Sequence, residues 1–284
     1  MSADTLTGFL RNEALPATFR STVDDICRPL ADRARALHLR TQRTVVIGLC
    51  GAQGSGKSTI AAATALLLRS KGLSVAVLSL DDVYLGREAR RWLADQTHPL
   101  LAVRGPPGTH DVALACAVLD GLARPGATPL PRFDKATDER RPVSAWDTIE
   151  GPVDVVLFEG WCVGARPQPD ADLLAPLNDL ERFTDADGSW RRLVNRQLSG
   201  PYPPLFARLD ALVLLAAPGF GVVQSWRTEQ EHKLIARTGA GMSDAEVAVF
   251  IQHYERLTRW ILAEMPGRAD WVVRLAADRT PLIP

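Results

Sequence analysis

The chain has 284 residues, 46% of them hydrophobic, which is the composition of an ordinary globular protein with one sizeable core or two small ones. Its 33 basic residues balance its 33 acidic residues, so no overall field attracts nucleic acid or an anionic membrane. The composition therefore excludes binding that relies on net charge, and an anionic ligand must be held by a local cluster of cations.

The four cysteines stand far apart, without a C-x-x-C pair or histidines at metal-ligand spacing. This spacing favours reduced packing residues in the cytoplasm. The N-terminal stretch MSADTLTGFLRNEALP has no basic region followed by a long apolar run, and Asp4 and Glu13 argue against a transit peptide. The longest apolar runs, around 60–68 and 211–218, are shorter than the roughly 18 residues of a bilayer span. We therefore expect a cytoplasmic protein with no membrane partner.

Hydrophobic periodicity predicts alternating helices and strands. An amphipathic helix over 21–40 precedes TVVIGLC, an apolar β-branched segment typical of a buried parallel strand. A helix over 58–71 ends at Gly72. Ser243 and Glu246 form a capping box at the start of a long helix, which we predict to be architectural. The predicted strands span 44–50, 74–80, 153–158, 209–217 and 271–276. This alternation implies a layered α/β fold with right-handed crossovers.

Two long segments interrupt the alternation. Residues 86–151 contain RGPPG and ARPGATPLPRF, and residues 161–208 contain GARPQPDAD and SGPYPP. Loops of this length are uncommon unless they have a function. We therefore expect lids or substrate-binding segments with short helices of their own.

The segment GAQGSGKS, between the first strand and the following helix, fits G-x-x-x-x-G-K-[ST] at every defined position. Its glycines let backbone N–H groups turn toward phosphate oxygens, and the helix presents its positive end to the same anion. Lys57 is expected to reach the β- and γ-phosphates, and Ser58 to bind Mg²⁺. The alternative is a glycine-rich turn that merely precedes a helix. The predicted nucleotide-binding residues are Gly51, Ala52, Gln53, Gly54, Ser55, Gly56, Lys57, Ser58 and Thr59.

Nucleotide binding alone leaves open a switch GTPase, a motor or transporter ATPase and a small-molecule kinase. The chain has no Asn-Lys-x-Asp for guanine recognition and no Leu-Ser-Gly-Gly-Gln. The third strand ends in Glu159-Gly160 rather than in Asp-Glu, which departs from the usual motor ATPases. If the first and third strands are neighbours, Glu159 lies beside the phosphate loop and can hold magnesium or its water. The alternative is a glutamate that is merely in solvent.

Two adjacent aspartates, Asp81 and Asp82, close the second strand in the segment SLDDVYL. In a parallel sheet this strand ends at the same edge as the phosphate loop, where open α/β sheets bind ligands. An alcohol kinase needs a carboxylate near the acceptor hydroxyl to take or orient its proton, and Asp81 is the candidate. Asp82 is expected to face the other way, because side chains alternate along a strand. It would meet magnesium-bound water or cap the backbone, or it is only a turn residue.

Several motifs together resemble a known family. The segments GAQGSGKST, SLDDVYL, RGPPGTHD, PRFDKATDERR, VVLFEGW, WRRLVNRQL and WRTEQE are similar to those of plant- and fungal-type D-glycerate 3-kinases, relatives of uridine kinase, phosphoribulokinase and pantothenate kinase. SLDD-x-Y and FEG are shared across the larger group, whereas RG-x-x-G-T-H-D and PR-[FY]-DK point to the glycerate branch. Phe133 stands where tyrosine is usual, which argues against a hydroxyl role at that position.

The resemblance implies a P-loop kinase with a three-layer α/β/α fold and a mainly parallel five-stranded sheet. It also implies that ATP with Mg²⁺ phosphorylates the 3-hydroxyl of D-glycerate to give 3-phosphoglycerate. We expect one such domain over 1–284, with a helical extension over 1–40 and substrate or lid insertions over 86–151 and 161–208. A kinase of pantothenate, a nucleoside or a sugar phosphate is an alternative, and a nucleotide-binding regulatory ATPase is an alternative from another class.

Glycerate is a small anion, so its site needs cations, and an arginine can take a carboxylate with two parallel hydrogen bonds. Within the first insertion, Arg104 and Arg132 are favoured over Arg140 and Arg141, because DERR is equally a solvated turn. His110 follows a tight Gly-Pro turn, and the alternative is a core or capping histidine. The predicted substrate-binding residues are Asp82, Tyr84, Arg104, His110, Asp111, Arg132, Asp134 and Lys135.

The segment SWRTEQEHK follows the fourth strand and is predicted to begin a polar helix. In the larger kinase group this place carries a lid whose arginine stabilises charge on the transferring phosphate, and Arg227 resembles that residue. The alternative is a surface ion pair with Glu231 at helical spacing. The predicted catalytic residues are therefore Lys57, Asp81 and Arg227.

Overall fold

The computed structural model of the chain describes residues 3–239 and 241–282, and a sheet of six strands forms its centre. The strands are β1 (Val45–Gly51), β2 (Val75–Ser79), β3 (Gly126–Leu130), β4 (Phe133–Asp134), β5 (Glu139–Arg140), β6 (Asp147–Gly151), β7 (Val155–Gly160), β8 (Ala211–Ala216), β9 (Trp271–Leu275) and β10 (Pro281–Leu282). The central sheet has the order β10-β9-β8-β1-β7-β2. Within this sheet the strands β1, β2, β7, β8 and β9 are parallel, and β10 runs antiparallel to β9.

Helices surround this sheet. The α-helices are α1 (Ala3–Asn12), α2 (Phe19–Thr22), α3 (Arg28–Thr41), α4 (Lys57–Arg69), α5 (Arg87–Gln96), α6 (Val112–Leu122), α7 (Asp179–Thr184), α8 (Ser189–Ser199), α9 (Tyr202–Phe206), α10 (Phe220–Thr238) and α11 (Asp244–Glu264). A π-helix spans Val23–Cys27, and 3₁₀-helices span Leu80–Val83, Pro99–Ala102, Val143–Ala145, Asp170–Leu173 and Met265–Gly267. The predicted α/β fold with its five mainly parallel strands is confirmed, and the short β10 is an additional strand.

Strand β1 lies in the middle of the sheet because it is apolar along its whole length. Every residue of β1 and of its neighbour β7 is buried, as expected for parallel strands that are covered on both faces. Helices α3 and α4 pack against these two strands. At Gly48 an added Cβ would lie only 2.8 Å from a methyl group of Leu209, so glycine lets the chain beside β8 approach the sheet closely. The central position of β1 places the loop that follows it in the middle of the sheet edge.

The two insertions contain regular structure of their own. The first holds α5, α6 and two small antiparallel pairs, β3 with β6 and β4 with β5. The second holds α7, α8 and α9, the short helices that the sequence predicts there. A small second core joins the insertions, because Leu100 and Leu101 of the first are buried together with Trp190 of the second. The insertions therefore support each other as well as the main sheet.

The helix predicted near the N-terminus is present. The helix predicted over 21–40 is formed by α2, the π-helix and α3 in direct succession, with Val23, Ile26 and Leu30 buried.

Within the described ranges, no helix combines the length and the apolar character that a bilayer span requires. All four cysteines are free, and Cys27, Cys50 and Cys162 are buried.

Substitution of Ser243 by alanine should lower the free energy of unfolding by about 1 kcal/mol. The Ser243 hydroxyl accepts a hydrogen bond from the Glu246 N–H at 3.3 Å, and the Glu246 carboxylate accepts one from the Ser243 N–H at 2.8 Å, so the predicted capping box is formed. Urea-induced unfolding measures the change. Ser144→Ala, which removes an exposed serine outside the α-helices, is the control, and equal midpoints for the two variants would contradict the expectation.

Candidate active site

The loop between β1 and α4 has the backbone conformation of a phosphate cradle. Gly54 and Gly56 have φ of +76° and +86°, a left-handed region that other residues rarely adopt. Gly56 caps α4 without any side chain on the first N–H groups of the helix, so these groups are available to an anion. Two polar atoms of the loop, Gln53 Oε1 and Ser55 Oγ, are buried without a hydrogen-bond partner among the described residues. The loop therefore fits the triphosphate that its sequence predicts.

Distant segments brace this loop. A Cβ at Gly54 would lie 2.5 Å from the Cβ of Trp226 and 2.9 Å from its carbonyl carbon, so α10 lies directly against the loop. Arg279, between β9 and β10, donates from Nε to the Gly54 carbonyl at 2.7 Å, and its guanidinium lies 5.3 Å from the centre of the Trp226 ring. Sequence reasoning missed Arg279, since nothing in its local pattern connects it with a loop more than two hundred residues away.

Glu159 closes β7 directly beside the phosphate loop. The predicted neighbours β1 and β7 pair in parallel, with Leu49 opposite Glu159. Glu159 is buried, and its Oε1 accepts a hydrogen bond from the Ser58 hydroxyl at 2.8 Å, so the alternative of a glutamate in solvent is wrong. The second oxygen, Oε2, is buried without a partner in the described part of the chain.

These oxygen atoms fit a magnesium ion. Mg²⁺ prefers oxygen ligands and is usually held by one or two carboxylates, water and substrate phosphates. No group of three His, Cys, Asp or Glu side chains among the described residues is placed to hold a metal by itself. Ser58 and Glu159 would therefore share the ion with phosphate oxygens and water.

The two adjacent aspartates lie just beyond β2, which corrects one expectation. The strand ends at Ser79, and Asp81 and Asp82 belong to the 3₁₀-helix Leu80–Val83, whose start is capped by the Ser79 hydroxyl accepting from the Asp81 N–H at 3.2 Å. Because a helical turn does not alternate like a strand, the prediction that Asp82 points to the opposite side of the sheet does not apply. The two carboxylates instead make different contacts within one turn.

Asp81 is held by two hydrogen bonds. Its Oδ2 accepts from Lys135 Nζ at 2.6 Å, and its Oδ1 accepts from the Tyr84 hydroxyl at 2.6 Å. Burial alone would raise the pKa of Asp81, but the charges of Lys135 and Lys57 and the two hydrogen bonds outweigh it and hold the pKa well below its usual range. Because β1 and β2 both pair in parallel with β7, the phosphate loop and the end of β2 lie at the same edge of the sheet.

Asp82 anchors the segment that carries Lys135. Its Oδ1 accepts from the Phe133 backbone N–H at 3.2 Å, and its Oδ2 lies 3.4 Å from Arg132 Nη1. Burial raises the pKa of Asp82, and the charges of Asp81 and Glu159 add to this shift. Of the roles left open for Asp82, the structure forms the backbone cap: its carboxylate accepts from an N–H of the β4–β5 hairpin. A direct contact between Asp82 and the substrate stays a prediction.

Four candidate cations of the first insertion are paired with acidic side chains, namely Arg104, Arg132, Lys135 and Arg140. Arg132 also lies 3.1 Å from Asp147, Arg104 pairs with Asp138, and Arg140 lies 3.2 Å from the N-cap residue Asp111. Asp134 accepts a hydrogen bond from the Ala136 N–H at 2.9 Å, which is a local turn contact. An anionic acceptor would therefore have to take cations from existing ion pairs.

Asp138 is a residue that sequence reasoning missed. It accepts from the fully buried Arg90 at 2.7 Å and also pairs with Arg104. The only signal in the sequence is the DERR segment, for which a solvated turn is an equal alternative, and Asp138 has a φ of +56° within it. Arg140 of the same turn donates to the Tyr84 carbonyl at 2.9 Å, so it is half-buried, whereas Arg141 is exposed.

His110 is buried against Tyr84, the residue whose hydroxyl donates to Asp81. Its ring lies 4.9 Å from the Tyr84 ring with an interplanar angle of 31°, and its Nδ1 lies 2.6 Å from the hydroxyl oxygen of Tyr202. Burial lowers the pKa of His110 to about 4, against a smaller opposing effect of the Asp81 charge. The histidine is therefore neutral at physiological pH.

Arg227 lies on α10, one residue beyond the contact of Trp226 with Gly54. Its Nη2 is 2.5 Å from Glu231, so the pairing named as the alternative forms, but Glu231 is buried and the pair does not lie on the surface. The Arg227 guanidinium is 5.6 Å from the centre of the Phe250 ring. The Arg227 and Asp81 charges both affect the pKa of Tyr254, which burial raises. Arg227 is thus near the cleft, and its contact with a transferring phosphate stays a prediction.

Comparisons with known proteins agree with this geometry. The family profile of the methylmalonyl Co-A mutase-associated GTPase MeaB matches residues 26–85, less than half of the chain, which include β1, the phosphate loop and β2. The chain is 38% identical over 223 residues to the uncharacterized kinase mug58 of Schizosaccharomyces pombe, covering 75% of the chain and 79% of that protein.

Two further relatives are D-glycerate 3-kinases. The chain is 32% identical over 258 residues to the chloroplastic D-glycerate 3-kinase of Arabidopsis thaliana, covering 84% of the chain and 54% of that protein. The structure of D-glycerate 3-kinase from Cryptococcus neoformans aligns with a TM-score of 0.75 and 26% identity over 91% of the chain and 98% of that structure.

The parallel sheet, the phosphate loop and the carboxylate at the end of β2 define an ATP-dependent P-loop kinase. The relatives identify the family within this class of kinases. The chain belongs to the D-glycerate 3-kinase family of these enzymes, which confirms the resemblance of its motifs.

Substitution of Gly54 by alanine should lower ATP affinity more than tenfold, because a Cβ at positive φ would also collide with Trp226. Gly72→Ala is the matched control, since Gly72 has a similar φ of +83° but nothing within 4 Å of an added Cβ. Calorimetric titration with ATP analogues and urea unfolding measure the two effects. Gly72→Ala should lose about 1 kcal/mol of stability and Gly54→Ala should lose more because of the collision, and equal ATP affinities would contradict this account of the loop.

Substitution of His110 by glutamine should flatten the pH dependence of stability in acid. The unfolded chain binds a proton at this histidine below its ordinary pKa of 6.5, whereas the folded protein does so only near pH 4. The free energy of unfolding of the wild type therefore falls as the pH drops between these values. Urea unfolding at about pH 7 and about pH 4.5 should show a smaller fall for the variant, by on the order of 2 kcal/mol. Parallel slopes for both proteins would rule out a neutral buried histidine.

Proposed function

We propose that this kinase uses ATP with Mg²⁺ to phosphorylate the 3-hydroxyl of D-glycerate, giving 3-phosphoglycerate. One observation carries the proposal: the half-buried Asp81 carboxylate is bonded to Lys135 of the glycerate-type motif and lies at the sheet edge that carries Lys57 of the phosphate loop, whose charge lowers the pKa of Asp81. The first lysine belongs to the expected acceptor site and the second to the nucleotide site. A carboxylate between them is placed where an acceptor hydroxyl would meet a γ-phosphate.

The nucleotide would lie with its phosphates in the loop between β1 and α4. Lys57 and the first N–H groups of α4 would bind the β- and γ-phosphates. Ser58 and Glu159 would hold magnesium, whose charge offsets the negative charge of the phosphates. ATP and Mg²⁺ are supported by the residue types present and by membership in a family of ATP-dependent kinases.

The acceptor would be held through its carboxylate. Arg104, Arg132 and Lys135 each have an acidic partner in the free protein, and a bound carboxylate can replace that partner without leaving a cation unpaired. Lys135 is the most accessible of the three, with 60% of its side chain exposed compared with 23% for Arg104 and 30% for Arg132. We therefore assign the first exchange of partners to Lys135.

This exchange would prepare Asp81 for its task. In the free protein the ammonium of Lys135 keeps the pKa of Asp81 low, so the carboxylate is a weak proton acceptor. When the acceptor carboxylate takes the Lys135 ammonium, the pKa of Asp81 rises and its Oδ2 becomes available. The acceptor hydroxyl oxygen then bonds to the γ-phosphorus, its proton passes to Asp81, and the bond from this phosphorus to ADP breaks with the electron pair leaving on ADP.

An assay that couples ADP formation to oxidation of NADH tests the proposal with a panel of acceptors. D-glycerate should support turnover, whereas L-glycerate, lactate, pantothenate, uridine and ribulose 5-phosphate should not. Turnover with pantothenate, the nucleoside or the sugar phosphate alone would move the protein elsewhere among the P-loop kinases. ADP formation that no acceptor accelerates would favour the regulatory ATPase. The cytoplasmic location stays a prediction.

Substitution of Asp81 by asparagine should lower kcat by about 10²–10⁴ and leave ATP affinity close to that of the wild type. Asparagine keeps an oxygen for the Tyr84 hydroxyl but is a far weaker proton acceptor. Steady-state kinetics with D-glycerate and titration with an ATP analogue measure the two quantities.

Asp32→Asn is the matched control for this variant. Asp32 also pairs with a lysine, Lys71, but this ion pair lies on the surface, so its loss should change neither kcat nor ATP affinity. A kcat for Asp81→Asn within about twofold of the Asp32→Asn value would remove Asp81 from the reaction.

A further inference from the structure

Three buried aromatic side chains connect the catalytic carboxylate with the second insertion. The Tyr84 hydroxyl donates to Asp81, the His110 ring lies against the Tyr84 ring, and His110 Nδ1 meets the Tyr202 hydroxyl at 2.6 Å. Tyr202 begins α9 and is completely buried. No motif considered in the sequence gave this tyrosine a role.

The hydrogen bonds of Tyr202 decide which nitrogen of His110 carries the proton. The Gly108 N–H donates to the Tyr202 oxygen at 3.1 Å, so this oxygen already acts as an acceptor. If the Tyr202 hydroxyl donates to Nδ1, the proton of the neutral imidazole must be on Nε2. In the opposite arrangement Nδ1–H would donate to Tyr202, and the hydroxyl proton would have no acceptor among the described residues. The first arrangement leaves fewer buried polar groups unpaired and is therefore favoured.

The remaining nitrogen, Nε2, is the group that needs a partner. His110 is only 5% exposed, and Nε2 is buried without a hydrogen-bond partner in the described part of the chain. An unpaired buried N–H costs free energy, so such a group in a cleft points to a ligand that supplies the acceptor. His110 and the catalytic carboxylate both contact Tyr84, because the Tyr84 ring lies 4.9 Å from the imidazole and its hydroxyl donates to Asp81 at 2.6 Å.

The chemistry of the donor limits the group it can meet. A neutral imidazole N–H suits an oxygen with a lone pair, whether hydroxyl or carboxylate, and adds no charge to a site already lined by arginines. We propose that Tyr202 is a positioning residue that fixes His110 in the Nε2–H form, so that His110 donates a hydrogen bond to an oxygen of the acceptor bound beside Asp81. This inference rests on the proposed function, because the ligand is the acceptor of that reaction.

The first test needs no turnover. Nitrogen-15 spectra of the histidine-labelled wild type, with His110→Gln used to assign the signal, should show His110 as the neutral Nε2–H tautomer. Tyr202→Phe, which keeps the ring but loses the hydroxyl, should shift the signal toward a mixture of tautomers. An Nδ1–H tautomer in the wild type would overturn the inference by itself.

The second test is kinetic. Tyr202→Phe should raise the KM for D-glycerate about tenfold while the KM for ATP stays unchanged. In the His110→Gln background the same substitution should have no further effect, because it acts only through the imidazole. Phe206→Leu is the control for packing, since the Phe206 ring lies 5.7 Å from the Tyr202 ring and has no hydroxyl; it should change neither the KM nor the tautomer.

The outcomes separate this inference from the proposed function. Equal KM values for D-glycerate in the wild type and Tyr202→Phe, or an additive effect in the double variant, would overturn the role of Tyr202. Absence of turnover with D-glycerate in the wild type contradicts the proposed function instead, and the spectra then still decide the tautomer.

Discussion

A half-buried carboxylate between two lysines organises the functional edge of this protein. Partial burial of Asp81 favours its neutral form, but the charges of Lys135 and Lys57 and the hydrogen bonds from Lys135 and Tyr84 outweigh this effect and keep the carboxylate ionised. The two lysines come from different parts of the chain, one from the β4–β5 hairpin and one from the phosphate loop. The lowered pKa of Asp81 therefore depends on the docking of the insertion on the sheet, which couples the proposed acceptor side of the cleft to the nucleotide side.

The proposed acceptor side is a network in which Arg90, Arg104, Arg132 and Lys135 each have an acidic partner. Asp82 and Asp147 hold Arg132, Asp138 holds Arg90 and Arg104, and Asp81 holds Lys135. Such pairing keeps partly buried arginines from being left alone, which would be costly. It also makes the free site electrically balanced, so a ligand must bring its own negative charge to displace an internal carboxylate. Selectivity for an anion can thus arise in a chain whose net charge is zero.

The phosphate side depends on rigid support from the end of the chain. Trp226 of α10 occupies the space beside Gly54, and Arg279 fixes the carbonyl of this glycine from the turn before β10. The loop must keep its N–H groups directed inward in the absence of ligand, and these contacts hold its left-handed conformation. A movement of α10 would therefore displace the phosphate loop, and it would also displace the adjacent Arg227 relative to the cleft.

The sequence by itself determined the five parallel strands, the phosphate loop and the candidacy of Lys57, Asp81 and Glu159, because these depend on short-range periodicity and on local spacing. It also determined the capping box of α11, a contact over three residues. Only the tertiary structure decided that Asp81 and Asp82 share a 3₁₀ turn and that Asp138 forms ion pairs with two arginines. It also decided that Tyr202 and Arg279 support the site. These contacts join residues that are distant in the chain, and no local pattern specifies which remote side chain fills the space beside a motif. That choice is made by the packing of the insertions on the sheet.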